Sequence, residues 1–185
     1  MANPRLDEND FIREILYQFG QDTDQTNRLN VMHRFNDFLY ENANLGRKSI
    51  LIVDEAQLIK NETILEEIRL LLNFQLNDRF LLTLILIGQP ELEGMLKHMP
   101  QLDQRIGIRF HIDHLSYEDT VQYILYRLRQ AGRIQPVFTE QAMTSIFRYS
   151  EGIPRKINTI CDLCLVMGVA RNLELIDENV VRELT

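Results

Sequence analysis

The sequence holds only two cysteines, spaced as Cys161-Asp-Leu-Cys164, too few for a disulfide-stapled scaffold. Long apolar runs are missing as well. The longest, Phe80 to Ile87, falls far short of the ~20 residues a membrane-spanning helix needs, and the start Met-Ala-Asn-Pro-Arg has no signal-peptide core. The expected compartment is therefore cytoplasmic, for a free protein or for the cytoplasmic portion of a membrane-associated one. Basic residues are in deficit, 20 against 27 acidic, and the net charge of −7 opposes indiscriminate attraction to a phosphate backbone or an anionic membrane. A local basic surface stays open. The most informative shortage concerns glycine. None of the eight is arranged as Gly-x-x-x-x-Gly-Lys-Ser/Thr, the loop whose backbone N–H groups and lysine cradle nucleotide phosphates. The only lookalike, Gly46-Arg47-Lys48-Ser49, separates Gly from Lys, has Glu41 five positions before Gly46, and leads into a strand rather than a helix.

What is present is globular. With 185 residues, 45% apolar and 25% charged, the chain can form one substantial core or two small ones, and wholesale disorder is excluded. Apolar residues at helical spacing predict helices over Asp7 to Phe19 and Thr26 to Asn44, stopped by Gly20 and Gly46. The period then changes. Ser49 to Val53 is a short β-branched run, as in a strand buried on both faces of a parallel sheet. A helix follows over Glu62 to Leu76, then a second such strand over Phe80 to Ile87, ending at Gly88-Gln89-Pro90. A third strand is expected over Ile106 to Ile112. After Asp113 only helices are expected, opened by a Ser116-Tyr-Glu-Asp119 capping box, by Thr139, by Pro154 in a first turn, and by Asp177. The pattern predicts an α/β layer over 1–114 and an all-α domain over 115–185.

The strongest chemical signal is Ile50-Leu-Ile-Val-Asp54-Glu55. Four apolar residues bury a strand, and two carboxylates emerge at its C-terminal end, where ligands bind in open α/β sheets. One carboxylate can hold the Mg²⁺ that bridges nucleotide phosphates, and its neighbour can activate the attacking water. The bland alternative is two charges in an exposed turn. The following Ala56-Gln57 also suggests a helicase box, but the chain is too short for a second α/β domain. Gln89, at the tip of the next parallel strand, would lie beside Asp54 and can hydrogen-bond a γ-phosphate or its water; a strand-end Gly and Pro are otherwise ordinary turn chemistry. Arg105 and Arg109 precede and enter the third strand, where a guanidinium can reach the phosphate of a neighbouring subunit; a surface role is the commoner fate of any one arginine. Arg155 sits near a helix N-terminus, the unfavourable end for a cation, and an anionic ligand would compensate it. Cys161 and Cys164 share an apolar stripe and read as core. His111 and His114 would face opposite ways across a strand end, which favours a surface role.

Taken in order, these elements resemble the AAA+ ATPase family. The resemblance implies a Walker B strand at Ile50 to Glu55, a sensor 1 strand at Leu81 to Gln89, an arginine finger at Arg105 and a sensor 2 helix at Arg155 in a small helical lid. More narrowly, Asn3-Pro-Arg-Leu, Val53-Asp-Glu-Ala-Gln57, Gly88-Gln-Pro-Glu-Leu92 and Gly152-Ile-Pro-Arg-Lys-Ile-Asn158 resemble the secretion-associated ATPases of the general secretion pathway protein A type. Gln89 departs from the Asn, Ser or Thr usual at sensor 1 in the wider family, although Gly-Gln-Pro is typical of the narrower group. The resemblance implies ATP and Mg²⁺ as cofactors, with Asp54 on the metal, Glu55 and Arg105 catalytic, and Gln89 and Arg155 on the nucleotide. It further implies a homo-oligomer, ring or filament, and a protein partner in a secretion or cell-envelope complex. Related ATPases select transposition targets, which keeps DNA as a lesser alternative beside a noncatalytic adaptor. In the family the cradle and first strand lie upstream of the Asn3-Pro-Arg-Leu segment, and the first strand runs between the third strand and the sensor strand. The chain is thus expected to be a P-loop NTPase-like core without its first strand and Walker A segment, inactive alone, with residues 1–5 continuing a second strand.

Overall fold

The computed structural model describes residues 8–21, 27–76 and 79–184. The Asn3-Pro-Arg-Leu segment and the strand remnant expected over residues 1–5 lie outside them. The chain divides into two compact units, Met1–Arg109 and Phe110–Thr185, each described below by itself.

In the first unit, helices α1 (Glu8–Gln18) and α2 (Arg28–Asn44) precede strand β1 (Ser49–Val53). Asn27 caps α2, its side chain accepting from the Leu29 N–H at 3.0 Å. A short 3₁₀ turn, Ala56–Leu58, leads to α3 (Glu62–Leu71), capped in the same way by Asn61. Strands β2 (Gln75–Leu76) and β3 (Arg79–Phe80) form a two-residue antiparallel ladder. Strand β4 (Leu82–Leu86) then runs parallel to β1, with Leu51 opposite Leu84 and Val53 opposite Leu86. Helices α4 (Glu91–Lys97) and α5 (Pro100–Asp103) complete the unit.

The expected helix over Glu62 to Leu76 thus ends at Leu71, and its last residues turn into the small ladder. The expected burial of the strands on both faces is corrected. Ser49, Leu51 and Val53 are buried, whereas Ile50 and Ile52 are 48% and 44% exposed and Ile85 is 41% exposed. Apolar stripes of α1, α2 and α3, including Phe11, Ile15, Phe35, Leu39, Ile64 and Ile68, form the core with the Leu51 and Val53 face. Composition alone cannot reveal this, because both faces carry the same apolar residue types.

The third expected strand, Ile106 to Ile112, is also corrected. Residues 106–116 are neither helix nor strand, and Ile108, Phe110 and Ile112 are exposed by more than four-fifths. A strand exists only through a ladder to a neighbour, and among the described residues none lies alongside this segment. Alternation can predict that a segment is suited to a sheet without supplying the partner.

The second unit contains α6 (Tyr117–Gln130), α7 (Glu140–Ser150), α8 (Pro154–Ala170) and α9 (Glu178–Leu184). Ser116 and Thr139 cap their helices with hydroxyl oxygens, and Asp177 accepts from the Asn179 and Val180 N–H groups at the start of α9. The capping box is half formed: the Asp119 N–H donates to Ser116 Oγ at 3.1 Å, while the Asp119 carboxylate accepts from the Ser116 hydroxyl at 2.8 Å. Ile124, Phe138, Ile146, Ile157, Cys164 and Val181 are among the residues of a separate core. Among the described residues no helix is long and apolar enough to cross a membrane.

A buried carboxylate of α3 is tied to the start of α2. Glu67 of α3 is 3% exposed and ion-pairs with Arg28 at the start of α2, while its second oxygen has no hydrogen-bond partner among the described residues. Removing the arginine strands a buried carboxylate. We expect Arg28→Ala to lower stability by about 2–3 kcal/mol in urea unfolding, and Glu67→Gln in that background to recover part of it.

Candidate functional site

The parallel pairing of β1 with β4 extends beyond both strands. Ile87 N–H donates to the Val53 carbonyl and Ala56 N–H donates to the Ile87 carbonyl, each at 2.9 Å. This lock carries the two strand tips forward together, so Asp54, Glu55 and Gln57 stand beside Gly88 and Gln89. Val53 and Ala56 are fully buried, whereas Asp54 and Glu55 are exposed. Asp54 Oδ1 accepts from the Glu55 N–H at 2.8 Å, and Oδ2 has no hydrogen-bond partner among the described residues. Glu55 adopts a left-handed backbone conformation, φ 52°, unusual for a residue with a side chain and of the kind stored at functional turns.

The sequence treats Gln57 only as part of a box, yet the structure makes it the bridge. Its Nε2 donates to Glu55 Oε2 at 2.6 Å, and its Oε1 accepts from the Gln89 backbone N–H at 3.1 Å. Gly88 makes room for it. A Cβ at that position would lie 2.7 Å from Gln57 Oε1 and 3.0 Å from Leu92 Cδ2. The Gln89 backbone is committed to this bridge and to Leu92 N–H, and its side chain is exposed.

The two arginines of the Arg105 segment separate clearly. Arg109 ion-pairs with Asp103 at 2.6 Å and reaches its carbonyl at 3.3 Å. Arg105 lies just past α5, is exposed, and its guanidinium has no partner among the described residues. His111 and Asp113 are exposed and 3.5 Å apart, and among the described residues no three His, Cys, Asp or Glu side chains converge as a metal cluster.

In the helical unit nearly every residue of the Gly152 to Asn158 motif has a structural task. Gly152 has φ +73°, its carbonyl accepts from the Leu115 N–H at 3.0 Å, and a Cβ there would lie 2.1 Å from the Leu115 carbonyl oxygen. Pro154 opens α8 in its first turn, Ile157 is buried, and Asn158 accepts from the Tyr123 hydroxyl at 3.0 Å, tying α8 to α6. Lys156 bonds Glu151 at 2.7 Å, and that ammonium holds the Glu151 carboxyl below its ordinary value. The guanidinium of Arg155 alone in the motif's charged pair has no partner among the described residues, and no side chain caps α8 beside it.

A cleft of about 360 Å³ lies elsewhere, lined by Gly46, Leu76 and Arg79 among others and by none of these site residues. The cysteines are core groups. Cys164 is fully buried; burial pushes its thiol up to about 11, and burial, Cys164 and Asp162 together push Cys161 up to about 12.

Residues 1–96 match the family model described as an AAA domain. The chain belongs to the AAA domain family. It is 41% identical over 174 residues to general secretion pathway protein A of Aeromonas hydrophila, which covers 92% of this chain and 32% of that protein. An uncharacterized HTH-type transcriptional regulator of Methanocaldococcus jannaschii is 30% identical over 140 residues, 72% of this chain and 34% of the relative. This AAA domain chain therefore spans about a third of the length of these curated relatives. Among solved structures, the Aeropyrum pernix ORC2 protein superposes with a TM-score of 0.65 at 15% identity, over 93% of this chain and 47% of that one. A Thermotoga maritima RuvB mutant gives 0.60 at 18% identity, over 78% and 48%. The fold is accordingly the α/β AAA+ P-loop NTPase type expected from the sequence.

Two measurements check this description. Gly152→Ala meets both a left-handed backbone and the Leu115 carbonyl, and should cost the helical unit at least about 2 kcal/mol in chemical unfolding. Because both folded thiols sit above their ordinary value of 9.0, the stability they contribute is full below pH 9 and declines as pH rises toward about 12. Unfolding midpoints across that range should fall, and a Cys161→Ala, Cys164→Ala variant should fall less.

Proposed function

We propose that this AAA domain is the ATP-binding and hydrolysing module of a larger secretion or cell-envelope machine. The observation that carries the reading is the exposed Asp54–Glu55 pair at the end of β1, locked beside the tip of β4. Asp54 fits Mg²⁺: an exposed carboxylate with one uncommitted oxygen suits a cation that takes one or two carboxylates and completes its shell with phosphate oxygens and water. When bound, Mg²⁺ would neutralise charge developing on the phosphates. Glu55 takes the proton of the attacking water. Gln89 holds the γ-phosphate side of the site with its free carboxamide. Arg155 of the helical unit is assigned to the nucleotide, and its lack of a structural partner among the described residues supports that role.

Arg105 serves a neighbouring subunit as the finger, and the pairing of Arg109 with Asp103 is what favours Arg105 over it. This requires a homo-oligomer, ring or filament. The name of general secretion pathway protein A supports a protein partner in secretion, a cytoplasmic setting and envelope assembly belong to the same proposal, and the acidic net charge weighs against DNA as the main partner. No phosphate cradle occurs in these 185 residues, so turnover belongs to a protein in which that loop accompanies them. Micromolar Mg-ATP affinity of the 185-residue chain alone would overturn that last statement.

In a cradle-bearing protein, Glu55→Gln should keep nucleotide binding and lower turnover by about 10²–10⁴-fold. Unchanged turnover would refute the role of Glu55. Arg105→Ala should also retain binding while losing turnover, and mixing it with Glu55→Gln subunits should restore part of the activity. Mixed subunits as inactive as either parent would exclude an arginine acting in trans.

A further inference from the structure

The carboxamide of Gln57 hydrogen-bonds to both strand tips. Its orientation is fixed by its partners. The Gln89 backbone N–H can only donate, so Oε1 faces it, and Nε2 is left to donate to the Glu55 carboxylate. Both contacts need the side chain to be an amide of this length. A carboxylate would keep the acceptor and oppose Glu55 with like charge, and an aliphatic chain would keep neither. Gly88 is part of the same device, since a Cβ there would lie 2.7 Å from the Gln57 oxygen. Glu55, meanwhile, sits on a left-handed backbone, and Gln57 engages only its Oε2. The 3₁₀ turn Ala56–Leu58 supplies the geometry: the Leu58 N–H donates to the Glu55 carbonyl at 2.9 Å, closing a turn that brings residue 57 back over residue 55.

We propose that Gln57 is a positioning residue that couples the aim of the Glu55 carboxylate to the tip of β4. The inference rests on the reading of Glu55 as the water-activating group. Movement of the Gln89 backbone, such as engagement of its side chain by a phosphate, pulls on Oε1 and so alters the hold of Nε2 on Glu55. Gln57 itself need touch neither nucleotide nor water. Its effect falls on the rate of the chemical step and not on nucleotide affinity, because a misdirected carboxylate leaves binding contacts intact.

Two measurements test it. In the 185-residue chain, the Gln89 backbone amide is followed by ¹⁵N NMR. Glu55→Ala should shift that amide although no hydrogen bond joins the two residues, and the shift should vanish in a Gln57→Leu background. A Gln89 amide indifferent to Glu55→Ala overturns the coupling. In the cradle-bearing protein, Gln57→Glu, Gln57→Leu and Gly88→Ala should each lower kcat by about 10–100-fold and leave KM for Mg-ATP within about twofold. Gln57→Glu decides against a merely structural role. It keeps the acceptor for Gln89 and the shape of the turn, so a residue that only braced the β4 tip would tolerate it. Adding Gln57→Glu to Glu55→Gln should cost nothing further, since both act through one carboxylate. A normal Gln57→Glu enzyme beside an inactive Glu55→Gln enzyme refutes the role of Gln57 alone, whereas an active Glu55→Gln enzyme refutes the reading beneath it.

Discussion

The site depends on two backbone hydrogen bonds that continue a parallel ladder past its strands. Ile87 to Val53 and Ala56 to Ile87 hold the β1 and β4 tips in register past the last residues of both strands. Without them the carboxylates would hang on one loop and the Gly88-Gln89 turn on another, and their spacing would follow loop fluctuations. With them, residues 32 positions apart in sequence are joined by a side-chain bridge. The buried pair Val53 and Ala56 anchors this register in the core beneath, so that packing of α1, α2 and α3 against one face sets the position of the chemistry at the edge.

Much of this was legible in the sequence, for identifiable reasons. Helices announced themselves through caps and stops whose geometry is local: Ser116, Thr139, Pro154 and the glycine stops all perform as their chemistry dictates. The Walker B-like run was legible because strand, carboxylates and turn follow one another directly. What escaped was non-local. The bare face of β1 carries Ile50 and Ile52, residues that look the same in a sequence whether covered or open. Ile106 to Ile112 alternates like a strand, but its state turns on a neighbour that no local pattern encodes. The bridge formed by Gln57 escaped because its meaning lies in Gln89 and in the missing Cβ of Gly88, neither of them nearby in sequence.

The two candidate arginines show how structure sharpens a list of residues. The sequence places Arg105 and Arg109 in one segment, each a fork-shaped cation near the expected strand, and the family resemblance assigned the finger to Arg105. Asp103 removes one of them from contention by holding it. The same reasoning applies in the helical unit, where Lys156 is held by Glu151 while its neighbour Arg155 is not. A charged side chain that its own fold does not employ is a better candidate for work on a ligand than one already neutralised, because no internal contact must first be broken.

The close approach of Leu115 to Gly152 also bears on how this protein can be taken apart. The carbonyl of Leu115 occupies the volume in which any other residue would place its first side-chain carbon, and the return hydrogen bond joins the residue just before the Ser116 cap to the start of α8. The boundary of the helical unit as a cloning target is therefore set by this backbone crossing and not by the first helical residue. A shortened chain beginning at Tyr117 would contain all four helices and yet leave Gly152 without its lid, whereas one beginning a few residues before Leu115 would retain the clasp.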